Sequence, residues 1–213
     1  MEREGILVVI SGFAGAGKGT IVKGLMEKYE DYALSVSMTT RAPRPGETEG
    51  ISYFFVDKAK FEQTIAEGGL IEYANYCGNY YGTPKAYVEA QLRAGKDVIL
   101  EIEIQGAMQI KRMYPTALLL FITPPDADTL RRRLVGRGTE TMEVINKRMA
   151  RAVNEAEGIE EYDYIIVNDT IDRAIADTRA VIGAAHARPF RNGRLIQGLR
   201  EELRLMSIQH RND

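Results

Sequence analysis

One stretch constrains this chain more than any other. Gly12-Phe13-Ala14-Gly15-Ala16-Gly17-Lys18-Gly19-Thr20 follows directly on an apolar run at residues 6–10, and a helical pattern at 18–29 follows it. A buried strand, a glycine-rich turn and a helix, in that order, make a cradle for phosphate. Backbone N–H groups turn inward around the anion and the helix N-terminus adds its positive dipole end. Lys18 stands where its ammonium reaches the β- and γ-phosphates of a nucleoside triphosphate. A glycine-rich turn with no ligand is the plain alternative; spacing, lysine and context together weigh against it. Gly12, Phe13, Ala14, Gly15, Ala16, Gly17, Lys18, Gly19 and Thr20 are the predicted triphosphate-binding residues.

The loop departs from the usual pattern at one position. Ser or Thr ordinarily follows the lysine and ligates Mg²⁺. Here Gly19 occupies that place and the hydroxyl comes one residue later, at Thr20. Mg²⁺ tends to keep several of its waters. The expectation is therefore a metal held by phosphates and waters, close to Thr20 and Glu101, with no direct protein ligand.

The rest of the chain alternates. Apolar, β-branched runs at 6–10, 97–102, 117–123 and 163–167 are near-continuous, which suits strands buried on both faces of a parallel sheet. Helical patterns lie at 18–29, 87–93 and 126–134. Thr170 is placed to cap a further helix with Ile171, Ile175, Ile182 and Ala185 on one face. This order predicts an α/β fold, a doubly wound parallel sheet, in a single domain of 213 residues. Two regions break the rhythm. Residues 35–83 are rich in Tyr, Gly and Thr, with a short exposed strand at 52–56, and read as a small β-rich insert. Residues 136–158 are polar, helical and arginine-bearing, and read as a lid. The predicted division is a core of 1–34, 97–135 and 159–213, an insert of 35–96 and a lid of 136–158. The amphipathic tail at 188–213 is expected to dock Leu195, Leu199, Leu203 and Met206 on the core, with a second subunit as the alternative.

Charge and composition remove several function classes. A formal net charge of -2 argues against a protein built to coat nucleic acid. No apolar run approaches a membrane span, and residues 1–4 show no signal-peptide pattern, so the cytoplasm is expected. Cys77 is the only cysteine, which excludes an intrachain disulfide and a cysteine-rich zinc site. Cys77 is expected to be a small half-buried side chain. His186 and His210 have no metal-like neighbours and are given no role. Monomer and homo-oligomer are both compatible with the sequence.

Further motifs narrow the substrate. Ser37-Met38-Thr39-Thr40-Arg41-Ala42-Pro43-Arg44-Pro45-Gly46-Glu47 is followed by Gly50-Ile51-Ser52-Tyr53-Phe54-Phe55, by Ile71-Glu72 and by Gly78-Asn79-Tyr80-Tyr81-Gly82-Thr83. In this register they closely resemble the guanylate kinase family, over roughly residues 5–187. The resemblance implies transfer of the terminal phosphoryl group of ATP to GMP, with Mg²⁺ as cofactor. It implies a GMP site of Ser37, Arg41, Arg44, Glu47, Tyr53, Glu72, Tyr81, Thr83 and Glu103, so that residues 35–96 become the GMP-binding insert.

The side-chain chemistry agrees with the resemblance. Arg41 and Arg44 can fork onto a phosphate dianion, and the hydroxyls of Tyr53 and Tyr81 can add hydrogen bonds. A carboxylate at Glu72 can accept from guanine N1–H and N2–H₂ together, and the Thr83 hydroxyl can donate to O6. Adenine lacks N1–H and would leave Glu72 unpaired, a mismatch that can cost about 10⁴-fold in rate. Each residue also has a plainer explanation. Arg41 and Arg44 can be solvated loop charges, Tyr80 and Tyr81 a strand pair, and Thr83 a helix N-cap before Pro84.

The resemblance also assigns the catalytic set: Lys18 and Arg41, with Arg133, Arg137 and Arg148 closing over the phosphates. It places Asn168 near the adenine of ATP. Glu101 and Glu103 stand where the family more often has Asp-x-Asp; the first acid is associated with the metal–phosphate region and the second with the guanine amino group. The two are expected to point to opposite faces. Two alternatives have different chemistry. A guanylate kinase-like binding module would take phosphopeptides, and usually lacks the loop lysine that stands here as Lys18. Another nucleotide kinase is suggested by the Gly-Lys-Gly-Thr ending, which resembles adenylate kinases, and is opposed by Glu72 and Thr83.

Overall fold

The computed structural model describes residues 4–76, 78–136 and 141–209. Along the chain run β1 (Leu7–Gly12), α1 (Lys18–Lys28), β2 (Tyr32–Leu34), β3 (Met38–Thr39), β4 (Phe54–Phe55), α2 (Lys58–Ala66), β5 (Leu70–Tyr76), β6 (Asn79–Pro84) and α3 (Lys85–Arg93). Then come β7 (Asp97–Glu101), α4 (Ile104–Met113), β8 (Leu118–Thr123), α5 (Ala127–Gly136), α6 (Met142–Ala156), β9 (Tyr164–Val167), α7 (Ile171–His186) and α8 (Gly193–Gln209).

The main sheet has the order β2-β7-β1-β8-β9, and every pairing in it is parallel. β1 is central: Leu7 pairs with Val98 of β7 and Val8 with Leu118 of β8. Alternation along β1 divides the core in two. Ile6, Val8 and Ile10 pack with Ile21 and Leu25 of α1 and Ile175 and Ile182 of α7. Leu7 and Val9 pack on the other face with Val88 of α3 and Ala107 and Ile110 of α4. Side chains such as Ile10, Ile21, Ile99 and Ile110 are fully buried, and burying each contributes about 1.5–3 kcal/mol. This is the doubly wound α/β class. It includes a fifth strand, β2, that three residues were too few to announce.

The second sheet has the order β4-β3-β6-β5 and mixes parallel and antiparallel pairs. It is not purely β. α2 packs Phe61 into its underside, and Phe61 stacks on Tyr80 at 5.2 Å. The local signal for α2 is Asp57, an N-cap whose carboxylate accepts from the Lys60 N–H at 2.7 Å. The free edge of β5 is met by α4, where the Gln109 side-chain amide donates to the Tyr73 carbonyl at 3.3 Å and accepts from the Tyr73 N–H at 3.5 Å.

α5 and α6 stand against each other through Leu130, Leu134, Ile145 and Ala152. Phe13 of the phosphate loop packs against this small cluster and against both halves of the main core. Thr141 caps α6, its hydroxyl accepting from the Val144 N–H at 3.4 Å. Thr170 is the N-cap residue of α7, as expected, but its side chain makes no cap hydrogen bond.

The tail corrects one expectation. α8 is helical but not docked: Leu195, Leu199, Leu203 and Met206 are 45–64% exposed. His186, given no role from sequence, bonds through Nε2 to both oxygens of buried Asp97, at 2.8 and 3.0 Å. Asp97 Oδ1 also accepts from the Ile6 N–H. Cys77, Arg137 and His210 lie outside the described residues. Among the described residues no helix is long and apolar enough to cross a membrane.

Candidate active site

The turn after β1 approaches its neighbours so closely that its glycines are obligatory. A Cβ on Gly12 would stand 2.1 Å from the Ile122 carbonyl oxygen. Gly17, the N-cap of α1, has φ 92°, a left-handed conformation that disfavours other residues. The Lys18 ammonium folds over the turn, donating to the carbonyls of Gly12 at 2.7 Å and Phe13 at 3.2 Å.

A cavity of about 800 Å³ opens in front of this loop. Gly15, Gly17, Lys18, Gly19 and Thr20 line it. Ser37, Arg41, Arg44, Glu47, Tyr53, Glu72 and Tyr81 line it too, as do Glu101, Glu103, Gly106 and Arg148. The site sits at the carboxyl ends of β1 and β7, where open α/β sheets take ligands.

The part around Arg41 is cationic and pre-formed. Arg41 and Glu47 are half-buried and paired, Nη2 to Oε1 at 2.7 Å, and the other Glu47 oxygen accepts from the Arg44 N–H at 2.7 Å. These bonds hold the Glu47 carboxyl below its ordinary range. Tyr53 lies beneath the Arg41 guanidinium, 5.4 Å from its ring centre, and meets Tyr81 edge-on. The geometry makes Glu47 the strut of Arg41 and of the Arg44 backbone.

Glu72 of β5 is 6% exposed, and the Thr83 hydroxyl of β6 donates to its Oε1 at 2.6 Å. Burial pushes the Glu72 carboxyl up, with the Thr83 bond opposing. Oε2 faces Gly106 in the first turn of α4, so close that a Cβ there would come within 3.0 Å. Thr83 therefore does not act as a helix cap. It belongs to β6, and Pro84 is the N-cap of α3. Its hydroxyl donates to the Glu72 carboxylate.

Glu101 and Glu103 both line the cavity, so the expectation that they point apart fails. Alternation along a strand brings residues two apart to the same side. Glu101 is exposed by surface area, yet the protein around it desolvates it in part and pushes its carboxyl up, Lys18 opposing and Glu103 adding to the shift.

Asn168 and Arg133 are not in the cavity lining. Asn168 is 4% exposed and donates from Nδ2 to the Ala16 carbonyl at 2.7 Å. Arg133 Nη2 donates to the Asn168 carbonyl at 2.9 Å. The two brace the phosphate loop from behind. Phe13 likewise presents its ring to the core, 5.0 Å edge-on from Phe121. Sequence reasoning missed Gly106, which lines the cavity, and Arg151 and Glu155, which connect to it through Glu103. Among the described residues no three His, Cys, Asp or Glu side chains cluster as metal ligands.

The sequence profile of the family described as guanylate kinase matches residues 4–185. The chain belongs to the guanylate kinase family. It is 48% identical over 189 residues to a guanylate kinase of Latilactobacillus sakei, covering 88% of this chain and 93% of that one. It is 50% identical over 187 residues to one of Streptococcus pneumoniae strain R6, covering 87% and 90%. A crystal structure of guanylate kinase from Anaplasma phagocytophilum superposes with a TM-score of 0.73 at 32% identity, over 90% of this chain and 91% of the other. The chain is thus a nucleoside monophosphate kinase, and its reaction is the ATP-dependent phosphorylation of GMP.

Proposed function

We propose that the cavity runs this reaction with ATP phosphates in the loop of residues 12–20 and GMP on the small sheet. The supporting observation is one cavity lined both by Lys18 and by a buried carboxylate, Glu72. An oxygen of the GMP phosphate is already ionised at neutral pH, so it needs no strong general base. It forms the bond to the γ-phosphorus while the bond from that phosphorus to the bridging oxygen of ADP breaks. Lys18, Arg41 and Arg148 take the charge on the phosphates, and catalysis is positioning with charge neutralisation.

Arg41 and Arg44, with the Tyr53 and Tyr81 hydroxyls, hold the GMP phosphate. Glu47 keeps Arg41 aimed. Glu72 accepts from guanine N1–H and N2–H₂, and Thr83 is the residue that orients it. Glu103 takes the remaining amino hydrogen. A hydrated Mg²⁺ fits beside the loop. Glu101 oxygens lie 3.6 and 3.8 Å from where a Cβ of residue 19 would stand, so the space vacated at Gly19 is faced by a carboxylate that water can bridge. When bound, the ion would neutralise charge on the ATP phosphates. The insert of 35–96 and the lid of 136–158 close on the core to exclude water. The cytoplasm, which holds both nucleotides, is the proposed location.

A coupled ADP-release assay across AMP, GMP, UMP and CMP tests the specificity, with Lys18→Ala as control. GMP is expected to be turned over at least 10³-fold better than AMP, and Lys18→Ala to lose detectable transfer. Comparable AMP turnover would refute the role given to Glu72.

A further inference from the structure

Glu103 is the N-cap residue of α4, yet its side chain makes no cap hydrogen bond to that helix. It reaches instead to the lid. Arg151 of α6 donates from Nη2 to Glu103 Oε2 at 2.6 Å and from Nε to Glu155 Oε1 at 2.7 Å. Arg148, one turn earlier on α6, lines the cavity that Glu103 lines. The C-terminal end of the lid is also seated on α4: a Cβ on Gly158 would touch Ile104 at 3.6 Å, and Ile104 and Ile159 pack against the same core. A glutamate is longer and has more rotamers than an aspartate. Bonded through Oε2 to a guanidinium that is itself bonded to Glu155, it has fewer directions open to its other oxygen.

We propose that Arg151 is a positioning residue that aims Glu103 at the guanine amino group, so that the lid helix sets how sharply the base is read. This rests on the reading of Glu103 given above. Guanine recognition and phosphate closure then share one element, because α6 carries both Arg148 and Arg151. A lid displaced from α4 releases Glu103, and GMP loses a fixed acceptor while inosine monophosphate, which has no amino group, loses none.

The test is the ratio of kcat/KM for GMP over inosine monophosphate, measured in wild type, Arg151→Ala, Arg151→Lys, Glu103→Ala and the double variant Arg151→Ala with Glu103→Ala. Contacting residues couple strongly enough that Arg151→Ala is expected to lower the ratio about three- to tenfold. Most of the loss should appear in KM for GMP, with partial recovery in Arg151→Lys. In the Glu103→Ala background the arginine substitution should no longer move the ratio. The thermal midpoint of Glu103→Ala should match wild type, since Glu103 is largely solvent-exposed, while Arg151→Ala also loses the bond to Glu155 and is read against Arg151→Lys. An unaltered ratio in Arg151→Ala overturns the proposal, as does an equal drop in both backgrounds. An unaltered ratio in Glu103→Ala alone removes the reading of Glu103 itself and the proposal with it.

Discussion

At the scale of single residues the site is a set of side chains whose freedom has been used up by neighbours. Glu72 is the clearest case: one oxygen is bonded by Thr83 and the other abuts Gly106. Its raised pKa gives a pH dependence with a definite sign. A carboxyl raised by folding adds stability below its unfolded pKa, and that contribution is lost as pH rises through the folded value. GMP needs the ionised form, so binding should weaken as pH falls from neutrality through the raised range. KM for GMP is therefore expected to climb on acidification in wild type. Glu72→Gln should show a high KM that lacks this component. The GMP phosphate titrates in both proteins, so the difference between the two profiles isolates Glu72; superimposable profile shapes would contradict its role. Much of this scale was legible in the chain. The loop of residues 12–20 was legible from its spacing and context, and Glu72 and Thr83 were singled out through the family resemblance of the motifs around them. The bond between Thr83 and Glu72, like that between Asn168 and Ala16, was hidden. The first joins register partners across the β5–β6 hairpin and the second joins residues distant in sequence, and spacing alone does not say which donor meets which acceptor.

At the scale of elements, what the sequence announced depended on length and periodicity. Long apolar strands such as β8 and long helices such as α7 were visible because burial repeats along them. β2 has three residues and a single register, Tyr32 to Leu34 against Asp97 to Ile99, and so no period to detect. α2 was masked by the tyrosine and glycine content around it, although Asp57 marks its start. α8 illustrates the opposite failure. Its amphipathic pattern is real, but a pattern says only that a face is apolar, not that something covers it. The helix should contribute little to the folded unit. Truncation after Asn192 keeps the bonds from Asn192 Nδ2 to the carbonyls of His186 and Arg188 that finish α7. Such a chain is expected to melt within about 4 °C of the full protein, because losing mostly exposed side chains costs no more than about 1 kcal/mol. Differential scanning calorimetry reads this directly, and a fall beyond 10 °C would mean that α8 is integral to the fold.

For the molecule as a whole, the cavity is lined from the phosphate loop and β7 of the main sheet, from the second sheet, and by Arg148 of α6. Binding both nucleotides should draw these parts together. Small-angle scattering is expected to show a smaller radius of gyration with a saturating bisubstrate analogue than without it, and identical profiles would exclude closure. The order of the main sheet also governs how the chain comes into being. The phosphate loop follows β1, which precedes both of its sheet neighbours in the chain and has none close in sequence to pair with. Leu7 waits for Val98 and Val8 for Leu118. Contacts of such separation form late and slowly. Until β7 and β8 have been made, β1 lacks the strands it pairs with, and ATP has no formed cradle to bind. The nucleotide can stabilise the finished fold but cannot template its first strand.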